Sequence, residues 1–166
     1  SERIGRGMMA VREIRRGRAD DIPALIDILW RGMHEGALPR YSAQQCRAWM
    51  PVRQTPESYA IRLAGQAVFV AELDGVPTGF MTLRGDGCVD FAYVVPEARG
   101  TGTADALLAM LVNHARVSGI GTLTARASDM ARPFFARHGW TAIAPAPQVR
   151  DGVTMPATDM TLPLAA

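Results

Sequence analysis

The stretch from Phe91 to Leu107 restricts this chain more than any other. An apolar run, Phe91-Ala-Tyr-Val-Val95, is followed by Pro96-Glu-Ala-Arg-Gly-Thr-Gly-Thr-Ala-Asp-Ala-Leu107. Aromatic and β-branched residues favour a strand, glycines at 100 and 102 allow a tight turn, and the alanine- and leucine-rich continuation opens a helix. Such a turn gathers unpaired backbone N–H groups at the positive end of a helix dipole, a geometry that holds phosphate. Arg99 opens the turn with a forked cation suited to phosphate oxygens.

The rest of the chain supplies a sheet around this unit. Val11 to Arg16 reads as a first strand. Asp20 or Asp21 caps a helix with Pro23 in its first turn, and Ile22, Leu25, Ile26, Leu29 and Met33 recur at helical spacing before Gly36 and Pro39. Ser42-Ala-Gln-Gln45 has the form of a capping box for a short helix through Trp49 and Met50, and Thr55-Pro56-Glu57 starts another that ends near Gly65. Val68 to Leu73, a turn at Asp74-Gly75 and Pro77 to Leu83 read as a hairpin. A second turn at Gly85-Asp-Gly87 leads into Cys88 to Val95. Thr103 to Val117 is a helix with Ala104, Leu107, Leu108, Leu111 and Ala115 inward. Leu123 to Ala127 is a strand, a helix capped at Ser128 or Asp129 runs to Arg137 and stops at Gly139, and Trp140 to Ala144 and Met155 to Leu164 are closing strands. The order predicts one mixed α/β (α+β) domain over residues 11–166, after a tail over residues 1–10 that reads as a vector remnant or unstructured.

Two better-known phosphate loops fail on residues. A P-loop needs a Lys after its second glycine, and all 18 basic residues of the 166 are Arg. A dinucleotide fingerprint needs a third glycine where Asp105 stands, and a carboxylate there would repel a pyrophosphate. A third pattern, Gln/Arg-x-x-Gly-x-Gly/Ala, is met at every fixed position by Arg99-Gly-Thr-Gly102-Thr-Ala104. It is the acyl-CoA loop of the GNAT acetyltransferase superfamily, which this chain resembles. Ser128-x-x-Ala131-x-Pro133-Phe134-Phe135-x-x-x-Gly139-Trp140 is similar to that family's second motif. Tyr41-Ser42 and Ala48-Trp49-Met50-Pro51 resemble a bacterial branch with Pro-Phe-Phe in that motif. The likeness in element order runs from Val11 to Leu164.

The resemblance implies a mostly antiparallel sheet of six to seven strands with helices on both faces. Its fourth strand is bulged and splayed from the fifth, and pantetheine fills the gap as an added strand. It places cofactor contacts at Ala92, Tyr93 and Val94, at Gly100, Thr101, Gly102, Thr103, Ala104 and Asp105 with Arg99 beside them, and at Ser128 and Phe135. The implied reaction is direct transfer of an acetyl group from acetyl-CoA to a primary amine of a small molecule or peptide. A free N–H near Val94 would receive the oxyanion. The family's proton-donating Tyr falls at Phe135, which cannot donate, so Tyr93 and Tyr41 are the candidate replacements. Asp90, before the bulge in an apolar run, is the candidate base, with burial expected to raise its pKa; a solvated residue after the Gly85–Gly87 turn is the other reading. His34, Tyr41 and Trp49, with Trp30, are candidates to line the acceptor site. Loss of the Tyr also leaves open a non-catalytic acyl-CoA-binding or sensing domain, and a longer acyl donor remains a third reading.

Composition narrows the partners. A net charge of +2 argues against nucleic acid or an anionic membrane surface. No apolar run approaches the roughly 20 residues of a membrane span, and the amino terminus lacks a signal-peptide core. His34, His114 and His138 lack metal-ligand spacing, so no metal is expected. Cys46 and Cys88 have no paired spacing, so reduced cytoplasmic thiols are expected. Dimers are common in the family, and no residue pattern here demands one.

Overall fold

The computed structural model describes residues 12–165. The tail read over residues 1–10, and Val11 at the expected start of the first strand, lie outside the described residues. Strands β1 (Arg12–Arg16), β2 (Ala67–Leu73), β3 (Val76–Leu83), β4 (Cys88–Val94), β5 (Thr122–Ser128), β6 (Thr141–Pro145) and β9 (Ala157–Pro163) form a seven-stranded sheet in the order β1-β2-β3-β4-β5-β9-β6, and β7 (Gln148–Arg150) and β8 (Val153–Met155) form a separate hairpin. All pairings are antiparallel except β4 with β5.

Helices cover both faces. Leu25, Ile28 and Leu29 of α1 (Ile22–Arg31) pack with Tyr59 of α3 (Pro56–Leu63), Val70 and Phe80; Leu107, Leu108 and Leu111 of α4 (Thr103–Val117) pack with Phe69, Met81 and Leu123 on the other face. Neighbouring strand residues thus serve opposite layers, as period-two alternation requires. Each fully buried large apolar side chain is worth about 1.5–3 kcal/mol. Helix α2 (Ala43–Trp49) starts at the expected capping box: the Gln45 N–H donates to the Ser42 hydroxyl at 3.0 Å and the Ser42 N–H to the Gln45 side-chain oxygen at 2.8 Å. Asp21 departs from expectation. Its carboxylate turns back to the Arg15 guanidinium (2.8 and 2.9 Å) and the Arg18 N–H (2.7 Å), closing a 3-10 turn instead of capping α1.

Two features position the site. The β3–β4 register slips between Met81 and Leu83, so Asp90 and Phe91 together oppose Thr82, whose buried hydroxyl accepts the Phe91 N–H at 3.1 Å. That is the expected bulge, and it turns Asp90 and Phe91 to the same face, toward α3. The second feature is the end of the β4–β5 ladder: only Cys88 with Thr124 and Val89 with Ala125 are paired. From Asp90 onward the strands separate.

Candidate active site

Strand alternation decides what faces the gap. The Val95 N–H donates to the Thr78 carbonyl on the β3 side at 2.8 Å. The backbone groups of Val94 and Ala92 therefore point the other way, into the splay, where no strand meets them. The edge of β4 offers an unpaired N–H and C=O at each of these residues, the requirement for adding a pseudo-peptide.

The glycine turn stands at the open end of this gap. Gly100 and Gly102 hold φ of +72° and +84°, the left-handed region that glycine adopts freely. Gly102 is the N-cap of α4 and has no side chain to offer, so the first-turn N–H groups of Thr103, Ala104 and Asp105 point outward without intrahelical partners. The Thr101 hydroxyl bonds the Ala98 carbonyl and lies 2.8 Å from the Thr103 hydroxyl, fixing the turn from within. Asp105 does not oppose an anion here: its carboxylate faces Arg137 (3.1 Å) and His138 (2.6 Å), which hold its pKa below the usual range, His138 contributing most. Arg12, 89 residues away in sequence, donates to the Thr101 carbonyl at 2.8 Å and adds a cation that sequence spacing gives no means of finding.

Arg99 spans the mouth. Its guanidinium lies 3.3 Å from the Met130 sulfur, just past β5, and makes no ion pair among the described residues. It lies against Gly36, where a Cβ would stand 2.5 Å from Nη2. Gly36 ends a π turn, Gly32–Gly36, that extends α1, and Gly32 at its other end receives the Tyr93 ring, whose Cδ1 is 2.7 Å from where a Cβ would be. The periodicity of α1 conceals this change to π geometry, which is frequent at functional sites.

Tyr93 stacks on Phe80 with centroids 6.3 Å apart, and its hydroxyl has no hydrogen-bond partner among the described residues. Burial, with the nearby Asp90 carboxylate, pushes its pKa up to about 12. A thiol has a pKa near 8.5, so this phenol remains a hydrogen-bond donor and is too weak an acid to protonate a departing thiolate fully.

Several expected site residues are placed otherwise. The pKa expectation for Asp90 is corrected. The carboxylate is 11% exposed, and burial does push its pKa upward, but Arg62 grips both oxygens (3.0 and 2.8 Å) and Gln66 donates at 2.7 Å, bringing it below the ordinary carboxylate value. Tyr41 is 3% exposed; its hydroxyl donates to the Pro156 carbonyl (2.8 Å) and accepts from the Asp129 N–H (2.7 Å), so it ties the end of β5 to the start of β9 and has no proton left to give a leaving group. Phe135 is 3% exposed in the α4-side core, 4.7 Å from the Trp140 ring, and offers no surface to a cofactor. Ser128 accepts the Ala131 N–H at 3.2 Å beside the splay. His34 stacks on Trp30 at 3.9 Å, and its Nε2 lies 2.7 Å from the Met50 carbonyl and must carry the proton. Trp49 lies under the guanidinium of Arg150 at 3.9 Å. No group of three or more His, Cys, Asp and Glu among the described residues could hold a metal, and no described helix is long and apolar enough to cross a membrane.

Against known families, residues 37–164 match the acetyltransferase (GNAT) domain. The chain belongs to the GNAT acetyltransferase family. YafP of Escherichia coli K12, described as an uncharacterized N-acetyltransferase, is 32% identical over 131 residues, 79% of this chain and 82% of that protein. A GCN5-related N-acetyltransferase from Rhodopseudomonas palustris superposes with a TM-score of 0.85 at 31% identity, covering 92% of this chain and 95% of its own. A phosphinothricin acetyltransferase from Sinorhizobium meliloti, solved with acetyl-CoA, shares the fold at a TM-score of 0.73 and 20% identity, covering 92% of this chain and 88% of that one. This GNAT acetyltransferase has β4 and β5 splayed beyond Val89, a glycine turn at 100–102 before α4, and a buried Phe135.

Proposed function

We propose that this chain transfers an acetyl group from acetyl-CoA to a primary amine, directly, with both substrates bound together. The observation that carries the reading is the splay beyond Val89, edged by the free backbone groups of Ala92 and Val94 and closed by the N–H cluster of residues 100–105 with Arg99. Pantetheine would complete β4 as a strand, and the pyrophosphate would sit on the turn between Arg99 and Arg12. The thioester carbonyl then lies along the β4 edge, where the Val94 N–H is oriented to receive the oxyanion. Asp90 stands at the start of the splay on the face of α1 and α3 and would draw the amine proton through water. Arg62 and Gln66 hold it ionised and lower its basicity. The Tyr93 hydroxyl donates a hydrogen bond toward the departing sulfur, which is a fair leaving group without full protonation.

The test is thermal shift with acetyl-CoA, propionyl-CoA and CoA, followed by release of free thiol over a panel of amines. Stabilisation by acetyl-CoA and thiol release that depends on an amine are the expected results. Binding without turnover on any amine would reduce the chain to a non-catalytic acyl-CoA sensor, and no stabilisation by any of the three would overturn the assignment of the turn.

A further inference from the structure

Of the cations on the acceptor side, Arg150 differs in how it is held. It ends β7, just before the Asp151-Gly152 turn, and the hairpin it belongs to is docked on α2: Gln45 Nε2 donates to the Thr154 carbonyl at 2.9 Å, and Arg150 Nη1 donates to the Trp49 carbonyl at 3.0 Å. Its guanidinium lies over the Trp49 ring at 3.9 Å. A guanidinium fixed by a ring face and one backbone acceptor retains further N–H donors in a fixed plane, the geometry that accepts a carboxylate in two bonds. No carboxylate lies within ion-pair distance of it among the described residues. It sits on Trp49, which packs against the same buried layer as Tyr93 and Met130, so it lies on the α1 face of the sheet that Tyr93 occupies.

Four acids of this layer are paired with other cations. Asp27 is paired with Arg53, Glu35 and Glu97 with Arg31, and Asp90 with Arg62. Glu57, Asp129 and Asp151 stand in no ion pair among the described residues, and the Asp129 N–H is bonded to Tyr41. Arg150 is thus a cation with no ion pair among the described residues, while the aromatic rings of Trp30, His34 and Trp49 supply apolar wall. A polyamine or a lysine side chain would meet its own charge sign at Arg150. An amine that also carries a carboxylate would have that group taken by Arg150 and its nitrogen left free to turn toward the splay.

We propose that Arg150 is an acceptor-specificity residue and that the acceptor is an amine bearing a carboxylate. This rests on the acetyltransferase reading above. Neutralising the acceptor's anion in this way also makes loss of its ammonium proton easier, which the transfer requires before nitrogen can attack. The attacking nitrogen forms the amide bond, the C–S bond breaks, the sulfur leaves with the electron pair, and the amine proton passes to the base.

The test compares glycine, β-alanine and 4-aminobutanoate with their primary amides and with spermidine, with thiol release read at saturating acetyl-CoA. The expected result is a preference in kcat/KM for at least one carboxylate over its amide of about ten- to hundredfold, the size of a charge-assisted pair. Arg150→Gln should collapse that ratio through KM, and Arg150→Lys, which keeps the charge and loses the fork, should fall between. Wild type and Arg150→Gln ranking the amines identically, or spermidine outrunning every carboxylate, would overturn this inference and leave the acetyltransferase reading standing. Absence of turnover on every amine would overturn both.

Discussion

Replacing Arg62 with Gln tests how Asp90 is held. The wild-type carboxylate is 11% exposed and sits in a balance: burial raises its pKa and is the largest single influence, while the two Arg62 bonds and the Gln66 bond together bring it below the ordinary value. Gln cannot supply a charge. In the variant burial outweighs Gln66 alone, so the pKa should move above the wild-type position. A base must be ionised to act, so the acid limb of kcat/KM should shift to higher pH in Arg62→Gln. Stability follows the same linkage with a definite sign. A carboxylate whose native pKa is depressed contributes stability that is fully present above its unfolded pKa and is lost as pH falls through the native one. The variant should therefore be less stable near neutrality and equal to wild type in acid. Charge-assisted bonds contribute about 1.5–3 kcal/mol. With the Arg62 side chain 59% exposed, solvent screening brings the expected loss to about 1 kcal/mol, or roughly 2–4 °C in Tm for a chain of this size. Thermal melts and thiol-release rates, taken from neutral buffers down to below the ordinary carboxylate pKa of about 3.9, read both effects. An unmoved acid limb would remove Asp90 as the base. A Tm loss that persists undiminished in acid would show that Arg62 acts by packing on Phe91, where its guanidinium lies 5.0 Å from the ring centroid, and not through charge.

Three further outcomes are expected. Gly36→Ala forces Arg99 from its seat, since a Cβ would stand 2.5 Å from Nη2; KM for acetyl-CoA should rise several-fold with kcat little changed, measured by varying acetyl-CoA at a fixed saturating amine. Gly102→Ala places a side chain at φ +84° and 3.3 Å from Arg12 Nη1; it should lower stability by about 1–2 kcal/mol and reduce the thermal shift produced by acetyl-CoA, as urea melts with and without ligand would show. Tyr41→Phe leaves the Asp129 N–H and Pro156 carbonyl without their partner; a loss of about 2–3 kcal/mol in urea melts is expected, with the pH–rate profile unchanged in shape.

The parts of the molecule legible in its sequence are those set by local chemistry. The capping box at Ser42, the helix start at Thr55, the left-handed glycines of the turn and the limits of α4 all follow from residues within a few positions of one another. The gap between β4 and β5 was reached through the resemblance carried by Arg99–Ala104, and the bulge at Asp90 and Phe91 came with it. The contacts that fell outside sequence reasoning join distant segments. Arg62 lies 28 residues from Asp90, and nothing in the apolar run around Asp90 announces a cation; the expectation of a raised pKa followed from burial alone. The β7–β8 hairpin has strands of three residues between prolines, too short for alternation to register, and is fastened to Trp49 from 101 residues away. The π turn was concealed because one extra residue in a helical turn leaves Leu29 and Met33 inward, and the glycines that seat Tyr93 and Arg99 resemble an ordinary helix stop.

With two residue pairs as the only ladder between β4 and β5, the sheet is in effect two plates sharing a short seam, four strands on one side and three on the other. A bound acyl-CoA would bridge both plates and turn a cosubstrate into part of the framework. At a hundredfold excess over its Kd such a ligand contributes about 2.7 kcal/mol to resistance against unfolding. The durability of this protein is then tied to the supply of activated acyl groups around it. When that supply falls, the plate of β5, β9 and β6 should be the first to exchange its amide hydrogens.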